Sequence, residues 1–247
     1  MPEKQTSQKN IALVTGANKG IGFEIARGLG AQGSIVLLGS RDDNRGKKAA
    51  AQLLAEGIDA RPMELDVTDR FSILSAVAQI EAQFARLDIL VNNAGVNLEA
   101  GAKPSAVDLS TVRHVYDVNV FGVIAMTQAM LPLLLKSQHG RIVNLSSSLG
   151  SFGWNTDPEI SSQFPLLLGY SSSKSALNAI TVQFAKELRG THIKVNAACP
   201  GYCATDMTNH LGSRTPQQGS ITPIRLATLP DDGPTGGIFN DEGVVPW

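Results

Sequence analysis

Short apolar runs alternate with longer amphipathic stretches over nearly the whole chain. The runs predict strands at Ile11–Thr15, Ser34–Gly39, Arg61–Leu65, Ile89–Asn92, Arg141–Leu145, Lys194–Ala198 and Gly237–Asn240. The intervening stretches predict helices at Ile21–Gln32, Asn44–Glu56, Arg70–Phe84, Leu109–Lys136, Ser171–Leu188 and Pro216–Leu229. Near-continuous apolar strands separated by helices are typical of a parallel sheet that is covered on both faces. With right-handed crossovers, the pattern predicts an α/β fold, a doubly wound parallel sheet of Rossmann type with about seven strands.

Two stretches depart from this regular pattern. Leu109–Lys136 is long for one helix and contains Pro132, so we expect the helix to end or kink there. The stretch from Ser147 to Gly169 is rich in glycine and proline and is predicted to be a loop. No segment between elements resembles a linker, so we predict a polar N-terminal tail over residues 1–9 and a single domain over residues 10–247.

The composition excludes several classes of partner. With 43% hydrophobic and 17% charged residues, the chain can build a core and lacks the composition of a disordered protein. A net charge of −1 would not draw nucleic acid or an anionic membrane. The N-terminus has no apolar segment typical of a secretory signal, and no apolar run approaches the ~18 residues that a membrane span needs. We therefore expect a cytoplasmic protein.

Two cysteines, Cys199 and Cys203, flank Pro200-Gly201-Tyr202. A pair at this spacing without supporting histidine or acidic ligands makes a poor metal site, so no metal is expected. Two free thiols suit a reducing compartment. We expect both to be buried or half-buried.

A glycine turn follows the first strand. Gly16, Gly20 and Gly22 lie between that strand and the first helix. Glycine permits positive φ and lets the backbone approach a pyrophosphate, which the N-terminus of a helix favours electrostatically. A tight turn without a ligand would have the same glycines, but the strand-turn-helix context near the N-terminus favours a dinucleotide site.

A phenol and an ammonium lie four residues apart at the start of the fifth predicted helix. Tyr170 and Lys174 share a helix face at this spacing. A nearby ammonium favours the phenolate, so Lys174 is expected to lower the pKa of Tyr170 from about 10 and make it a usable proton donor. The alternative is an ordinary surface pair. A serine cluster, Ser146 to Ser148, follows the strand Arg141–Leu145 and can donate to an oxygen that gains charge.

These features together resemble the short-chain dehydrogenase/reductase family, over the length from Asn10 to Trp247. Asn92-Asn93-Ala94-Gly95 resembles the family's segment after the fourth strand, and Leu65-Asp66-Val67 the strand end that contacts adenine. Pro200-Gly201-Tyr202-Cys203-Ala204-Thr205 resembles the loop whose backbone and threonine bind the nicotinamide carboxamide.

The resemblance implies a catalytic set of Asn119, Ser147, Tyr170 and Lys174. Ser147 would polarise the carbonyl, and Tyr170 would protonate its oxygen. Lys174 would tune the tyrosine and bind the nicotinamide ribose, while Asn119 would support a water that leads to the lysine. Ser146 and Ser148 can instead cap local backbone. A buried Asn119 that stabilises a helix irregularity is the structural alternative.

The turn and the resemblance together assign coenzyme contacts, and the end of the second strand indicates which coenzyme. Ser40 stands where an NAD site tends to carry an acid for the ribose 2′-hydroxyl, and Arg41 follows. A guanidinium fork suits a 2′-phosphate, and Lys19 adds a second cation, so NADPH is predicted over NADH. Asp42 is expected to cap the next helix. The residues assigned to the coenzyme are Gly16, Asn18, Lys19, Gly20, Ile21, Gly22, Ser40, Arg41, Asp66, Val67, Asn93, Ala94, Gly95, Tyr170, Lys174, Pro200, Gly201, Cys203 and Thr205.

The predicted activity is that of an NADPH-dependent carbonyl reductase that reversibly converts a ketone, aldehyde or quinone to an alcohol or hydroquinone. The stretch between Ser147 and Tyr170 is longer than in many family members, as in its carbonyl reductases, and lies by topology above the substrate. Residues predicted to line the substrate pocket are Ser148, Phe152, Trp154, Tyr202 and Met207, although the two aromatic residues of the long stretch can instead anchor a loop. A biosynthetic 3-ketoacyl reductase and a non-catalytic NADP(H) sensor are the alternatives. Whether the chain is a monomer or a homo-oligomer stays open.

Overall fold

A single mixed sheet organises the chain. The computed structural model describes residues 9–247, so the predicted tail lies outside the described residues except for Lys9. The described part forms eight strands in the order β3-β2-β1-β4-β5-β6-β7-β8, and every pairing is parallel except that of β7 with β8. The strands are β1 Ile11–Val14, β2 Ile35–Ser40, β3 Ala60–Glu64, β4 Ile89–Asn92, β5 Arg141–Leu145, β6 Lys194–Ala198, β7 Ile238–Asn240 and β8 Gly243–Val244. All seven predicted strands are confirmed within about one residue, which is the usual uncertainty of strand ends. The eighth has two residues and is too short to leave a pattern.

Helices connect the parallel strands on both faces of the sheet. Within the described residues they are α1 Gly20–Ala31, α2 Asp43–Ala55, α3 Arg70–Phe84, α4 Leu109–Tyr116, α5 Gly122–Leu134, α6 Phe152–Asn155, α7 Pro158–Ser161, α8 Leu168–Glu187 and α9 Pro216–Ala227. Five of the six predicted helices are confirmed, with ends that differ by at most three residues, whereas the one over Leu109–Lys136 is interrupted. The largest shift is at α8, which begins three residues before Ser171 and therefore includes Tyr170 within its first turn.

The apolar strands are buried because helices cover both faces of the sheet. Successive residues of a strand point to opposite faces. Leu13 therefore packs in one core cluster with Met126 of α5, whereas Val14 packs in a second cluster with Ile25 of α1. All four residues of β1 are buried. Two-sided burial is why the strands show continuous apolar runs and no alternation.

The strand order reverses between β1 and β4, and this is what positions the site. The chain runs outward from β1 through β2 to β3, then returns and runs the other way from β4 to β7. A crevice opens where the order reverses, beyond the carboxyl ends of the strands. The turns after β1 and β4 meet there, and the N–H of Thr15 donates to the carbonyl of Val91 at 3.0 Å.

The long helix predicted over Leu109–Lys136 is interrupted, but not where the sequence indicates. A turn of π-helix, Asp117–Phe121, separates α4 from α5. Pro132 lies inside α5, which ends at Leu134, so the expected end occurs within one turn of the proline while the irregularity lies earlier. A π-turn carries no residue signature as strong as that of proline.

The same helical run also corrects an expectation about membranes. Leu109–Leu134 is long and apolar enough to cross a bilayer by length and composition, with a mean hydropathy of 1.4. In the fold, 56% of the 18-residue stretch with this hydropathy is buried. The apolar residues of the run are therefore those of a core helix that packs between the sheet and its neighbours.

The predicted loop between Ser147 and Gly169 contains short helical turns, and this part of the prediction is wrong. A 3₁₀ turn, Ser148–Gly150, is followed by α6 and α7. Each turn begins at a capping side chain: Ser151 accepts from the N–H of Trp154 at 3.2 Å, and Asp157 accepts from the N–H of Glu159 at 2.9 Å. Caps and a proline at the first position of α7 are enough to form single turns that are too short for a periodic pattern.

A buried carboxylate joins three elements at the amino ends of the strands, opposite the crevice. Asp88 is 4% exposed and precedes β4. It accepts hydrogen bonds from the N–H of Ile11 at 2.8 Å and from the hydroxyl of Ser137 at 2.6 Å, and it pairs with Arg86 at 3.1 Å. The N–H of Ile11 and the hydroxyl of Ser137 donate to different carboxylate oxygens, so both oxygens are needed to satisfy these partners.

We expect Asp88→Asn to lower the free energy of unfolding by about 2 kcal/mol, because it leaves the half-buried guanidinium of Arg86 without its counter-charge and replaces one acceptor oxygen of the buried carboxylate by an N–H donor. Urea unfolding followed by circular dichroism measures the change. Glu81→Gln is the matched control, since Glu81 pairs with Lys136 at the surface and its loss should cost less than about 1 kcal/mol. Equal destabilisation by the two variants would contradict the stabilising role given to the buried carboxylate of Asp88.

Candidate active site

The glycine turn presents an open helix end to the crevice. Gly16 and Gly20 have φ of +62° and +58°, which side chains rarely adopt. Residues 15–19, including Asn18 and Lys19, form the turn, and α1 begins at Gly20. No side chain of the described residues caps this helix, so its first N–H groups face the crevice without a side-chain partner. This arrangement fits an anionic pyrophosphate.

The segment after β4 braces the glycine turn. The amide of Asn93 donates to the carbonyls of Thr15 at 2.8 Å and Gly16 at 3.1 Å. The hydroxyl of Thr15 in turn accepts from the N–H groups of Asn93 and Ala94, at 3.0 and 2.9 Å. A Cβ at Gly22 would meet the Asn93 amide and lie 2.6 Å from the carbonyl oxygen of Gly16. Gly22 is therefore required by packing as well as by any ligand.

The end of β2 presents one cation, Arg41, that has no partner among the described residues. Ser40 is buried, and its hydroxyl donates to the carbonyl of Asp42 at 2.8 Å, so its side chain supports the turn and does not face the crevice. Arg41 is exposed, and no described residue accepts a hydrogen bond from its guanidinium. Asp42 caps α2 by accepting from the N–H of Arg45 at 3.0 Å, which confirms the cap prediction.

Lys19, the second predicted cation, is engaged elsewhere. Its ammonium pairs with Asp206, which also pairs with His210 at 3.1 Å. Lys19 and Asp206 are both exposed, so their ion pair is weak and open to exchange with a stronger anion. The pair joins the glycine turn to the loop that follows β6.

The remaining coenzyme candidates line the same edge. Asp66 and Val67 follow β3, and Asp66 accepts from the N–H of Thr68 at 2.9 Å. The loop after β6 turns at Gly201, with φ of +76°, and buries Cys203. Thr205 approaches the glycine turn, because a Cβ at Gly20 would lie 3.5 Å from its methyl group. The predicted contacts with the coenzyme at these residues stay predictions.

The predicted reacting groups come together beyond β5. Tyr170 and Lys174 lie on α8, and the Lys174 nitrogen is 5.6 Å from the centroid of the Tyr170 ring, as their shared helix face predicts. The Lys174 ammonium donates to the carbonyl of Leu145 at 2.6 Å. Ser147 follows the same strand, and its hydroxyl oxygen accepts from the N–H of Leu149 at 3.1 Å. The three groups form one compact cluster.

The neighbouring serines have structural partners. Ser146 is buried and its hydroxyl donates to Asn178 at 2.5 Å. The backbone N–H of Ser148 donates to the sulfur of Cys199 at 3.2 Å. Of the three serines, only Ser147 influences the pKa of the Tyr170 phenol, which it works to lower. The choice of Ser147 from the sequence is consistent with this geometry.

The expected effect of Lys174 on Tyr170 is not what the structure shows. Burial raises the pKa of Tyr170 to about 12, with a smaller upward contribution from the Cys199 thiol and a downward one from Ser147. Burial also lowers the pKa of Lys174 to about 8. The prediction that Lys174 lowers the pKa of Tyr170 is wrong for the protein without coenzyme, since loss of hydration disfavours the phenolate and the downward contribution comes from Ser147.

Asn119 lies in the π-turn and is fully buried. Its side chain accepts from the N–H of Val96 and donates to the carbonyl of the same residue, both at 2.9 Å, and donates to Ser173 at 3.1 Å. It therefore joins the segment after β4 to the helix of Tyr170. These contacts match the alternative in which a buried Asn119 stabilises a helix irregularity. Its support of a water that leads to Lys174 stays a prediction.

Of the predicted pocket residues, some face solvent and one is packed away. Phe152, Tyr202 and Met207 are exposed. Trp154 packs against the cluster that contains Val245, so it anchors its segment. Ser148 contributes its backbone to Cys199, as described above. The packing of Trp154 matches the alternative in which it anchors a loop, and the assignment of Phe152 to the substrate pocket stays a prediction.

The two cysteines are free and buried, which confirms their predicted state. Burial raises the pKa of the Cys203 thiol, so it is held protonated. Within residues 9–247, no group of three or more histidine, cysteine, aspartate or glutamate side chains is arranged to hold a metal ion.

Sequence reasoning missed two residues beside the reacting groups. Glu99 accepts from the backbone N–H groups at the start of α8, and Cys199 contacts the serine turn. Neither belongs to a recognisable spacing. A lone acid in a loop gives no signal until the fold places the loop against the helix.

Comparisons with known proteins agree with this arrangement. A family model described as short chain dehydrogenase matches residues 10–216. A (-)-isopiperitenone reductase of Mentha piperita is 36% identical, with 92% of this chain and 95% of that protein covered. Carbonyl reductase (NADPH) 1 of Sus scrofa is 33% identical, with 98% of this chain and 96% of that protein covered. The crystal structure of NADPH-bound carbonyl reductase from chicken fatty liver has a TM-score of 0.83 at 28% identity, covering 97% of this chain and 99% of that chain.

The chain belongs to the short-chain dehydrogenase/reductase family. It is an oxidoreductase that acts on CH–OH or C=O groups and is similar to the carbonyl reductases of that family. The alignment with the Mentha protein runs over 300 positions, more than the 247 residues of this chain. That relative therefore has segments for which this chain has no counterpart.

The raised pKa of Tyr170 can be measured directly. We expect the Tyr170 phenol of the coenzyme-free protein to stay protonated at pH 10, where free tyrosine is about half ionised. The difference in absorbance at 295 nm between the wild type and Tyr170→Phe isolates this residue from the other two tyrosines. Far-ultraviolet circular dichroism confirms that both proteins are folded at each pH. Ionisation of Tyr170 well below pH 10 would contradict the conclusion that burial is the main influence on its pKa.

Proposed function

We propose that this protein is an NADPH-dependent carbonyl reductase that converts a ketone, aldehyde or quinone to the alcohol or hydroquinone. The proposal depends chiefly on the cluster of Ser147, Tyr170 and Lys174 beside the glycine turn. The names of relatives support it, since they include a carbonyl reductase that uses NADPH and a reductase of isopiperitenone. The free buried thiols of this chain suit a reducing compartment, so we also propose that the protein is cytoplasmic.

The residues present fit a nicotinamide dinucleotide. The uncapped start of α1 and the positive φ of Gly16 and Gly20 offer backbone N–H groups to a pyrophosphate. Asn93, Ala94 and Gly95 would lie along the adenine ribose, and the loop from Pro200 to Thr205 would hold the carboxamide. When bound, the reduced nicotinamide supplies a hydride to the carbonyl carbon.

The protonation states of the protein groups suit reduction. Because the pKa of Tyr170 is about 12, its phenol carries a proton at neutral pH and can donate it to the developing alkoxide. The hydroxyl of Ser147 would donate to the same oxygen as charge develops there. With a pKa of about 8, Lys174 keeps its charge at neutral pH. Its ammonium would stabilise the phenolate that remains after the transfer.

The free guanidinium at the end of β2 favours NADPH. Arg41 has no protein partner among the described residues, whereas Ser40 cannot hold a ribose hydroxyl as a carboxylate would. Lys19 would have to leave Asp206 to reach a 2′-phosphate, and an exposed pair permits this at little cost. Arg41 is therefore the main determinant of coenzyme preference in this proposal.

A small carbonyl substrate fits the surface better than a carrier-bound one. A protein-bound acyl thioester calls for free cations at the mouth of the pocket. Between Thr205 and Arg225 the arginines are engaged: Arg214 pairs with Asp241, and Arg225 donates to the carbonyl of Asn240 at 2.7 Å. The structure therefore offers nothing in favour of the 3-ketoacyl alternative.

We expect the purified protein to oxidise NADPH in the presence of some ketones, aldehydes or quinones, followed as the loss of absorbance at 340 nm. Tyr170→Phe removes the proton donor and should lower kcat by at least about 10²-fold. Tyr116→Phe, a phenol on α4 outside the cluster, is the matched control and should keep wild-type activity. Retained activity in Tyr170→Phe would sink the assignment of Tyr170 as the donor.

Coenzyme preference tests Arg41 separately. Arg41→Ala should raise the KM for NADPH about 10- to 100-fold, the equivalent of one charged hydrogen bond, and leave the KM for NADH nearly unchanged. Arg45→Ala is the control, because Arg45 lies one turn further on and pairs with Asp42. A wild type that prefers NADH, or equal effects on both coenzymes, would overturn this part of the proposal.

A further inference from the structure

The helix that carries Tyr170 begins without a cap of its own. Its N-cap residue is Leu167, and no side chain at that position can accept a hydrogen bond from the first turn. The acceptor comes instead from a distant loop. Glu99 accepts from the N–H of Gly169 at 3.0 Å with one carboxylate oxygen and from the N–H of Tyr170 at 2.7 Å with the other.

Two features of the chain bring Glu99 to this position. Its own N–H donates to the side chain of Asn97 at 3.1 Å, which turns the loop back toward α8. Three residues before Glu99, Val96 is held by Asn119 through both its N–H and its carbonyl, at 2.9 Å each. These hydrogen bonds fix the segment that leads into Glu99 from its N-terminal side.

Gly169 provides the space that the carboxylate occupies. A Cβ at this position would lie 3.2 Å from a carboxylate oxygen of Glu99 and 3.3 Å from the Cα of Val112 in α4. Any side chain here would force one of these neighbours to move. Glycine at residue 169 and glutamate at residue 99 thus form one interlocked contact, although they are far apart in the sequence.

We propose that Glu99 is a positioning residue that sets the place of Tyr170 by capping the first turn of α8. The inference rests on the proposed function, in which Tyr170 donates the proton. A carboxylate at a helix N-terminus is favoured by the helix dipole and by charge-assisted hydrogen bonds. One of these bonds is made to the backbone of Tyr170 itself, so loss of the cap displaces the reacting residue directly.

The contact also joins two parts of the site. Glu99 follows Asn93 to Gly95, the segment that braces the glycine turn and is proposed to lie along the coenzyme ribose. The cap therefore ties the proton donor to the segment that holds the coenzyme. A displacement of the phenol by about 1 Å can lower a rate by about 10²-fold while binding changes little.

Steady-state kinetics of Glu99→Ala and Glu99→Gln test the proposal. We expect Glu99→Ala to lower kcat about 10- to 100-fold, with the dissociation constant for NADPH within about twofold of wild type. Glu99→Gln keeps one acceptor oxygen and should recover part of the loss. Asp108→Ala is the matched control: it removes a capping carboxylate from the same connection, but one that caps α4 at Ser110. An unchanged kcat in Glu99→Ala, or an equal loss in Asp108→Ala, would overturn the proposal.

A second readout does not depend on turnover. Hydrogen exchange of the backbone N–H groups of Gly169 and Tyr170 should be faster in Glu99→Ala than in wild type and unchanged in Asp108→Ala. Unaltered exchange at these residues would show that Glu99 does not cap α8 and would overturn the inference. If the wild type reduces no carbonyl compound, the proposed function fails, whereas the exchange measurement still decides whether the cap exists.

Discussion

The hydrogen bonds that join the ends of β1 and β4 are the constraint on which the site depends. Thr15 and Asn93 exchange contacts there, and Asn93 also holds the carbonyl of Gly16. These bonds occur at the point where the strand order reverses, so the two turns that leave the sheet have no intervening strand between them. Because Asn93 occupies the space that a side chain at residue 22 would need, the glycine turn and the turn after β4 pack directly against each other.

From this junction the structure extends to the reacting groups through hydrogen bonds between side chains and backbone groups. The segment after Asn93 is held by Asn119 at Val96 and reaches α8 through Glu99. The π-turn at Asp117–Phe121 places Asn119 inside the fold, where its amide meets both the segment and Ser173. A helix irregularity thus has a physical use, since a regular helix would turn this side chain to another direction.

Burial is the strongest influence on the ionisable groups of the site. It raises the pKa of Tyr170 to about 12 and lowers the pKa of Lys174 to about 8, so both shifts favour the neutral side chain. For a reductase this is an advantage, because the donor must be protonated before the reaction. The contrast with the amino ends of the strands is clear. There the buried carboxylate of Asp88 is surrounded by donors, an arrangement that stabilises the fold and leaves no group free for chemistry.

The sequence by itself determined the parallel α/β sheet, the places of its strands and the identity of the glycine turn and the Tyr170–Lys174 pair. These follow from periodicity and local spacing, which act over a few residues. Tertiary structure alone decided the π-turn around Asn119, the pairing of Lys19 with Asp206, the packing of Trp154 and the contact of Glu99 with Tyr170. It also reversed the expected shift in the pKa of Tyr170. The physical reason is common to all of these: each depends on which distant residues share a space and how much water is excluded from it, and spacing along the chain carries neither quantity.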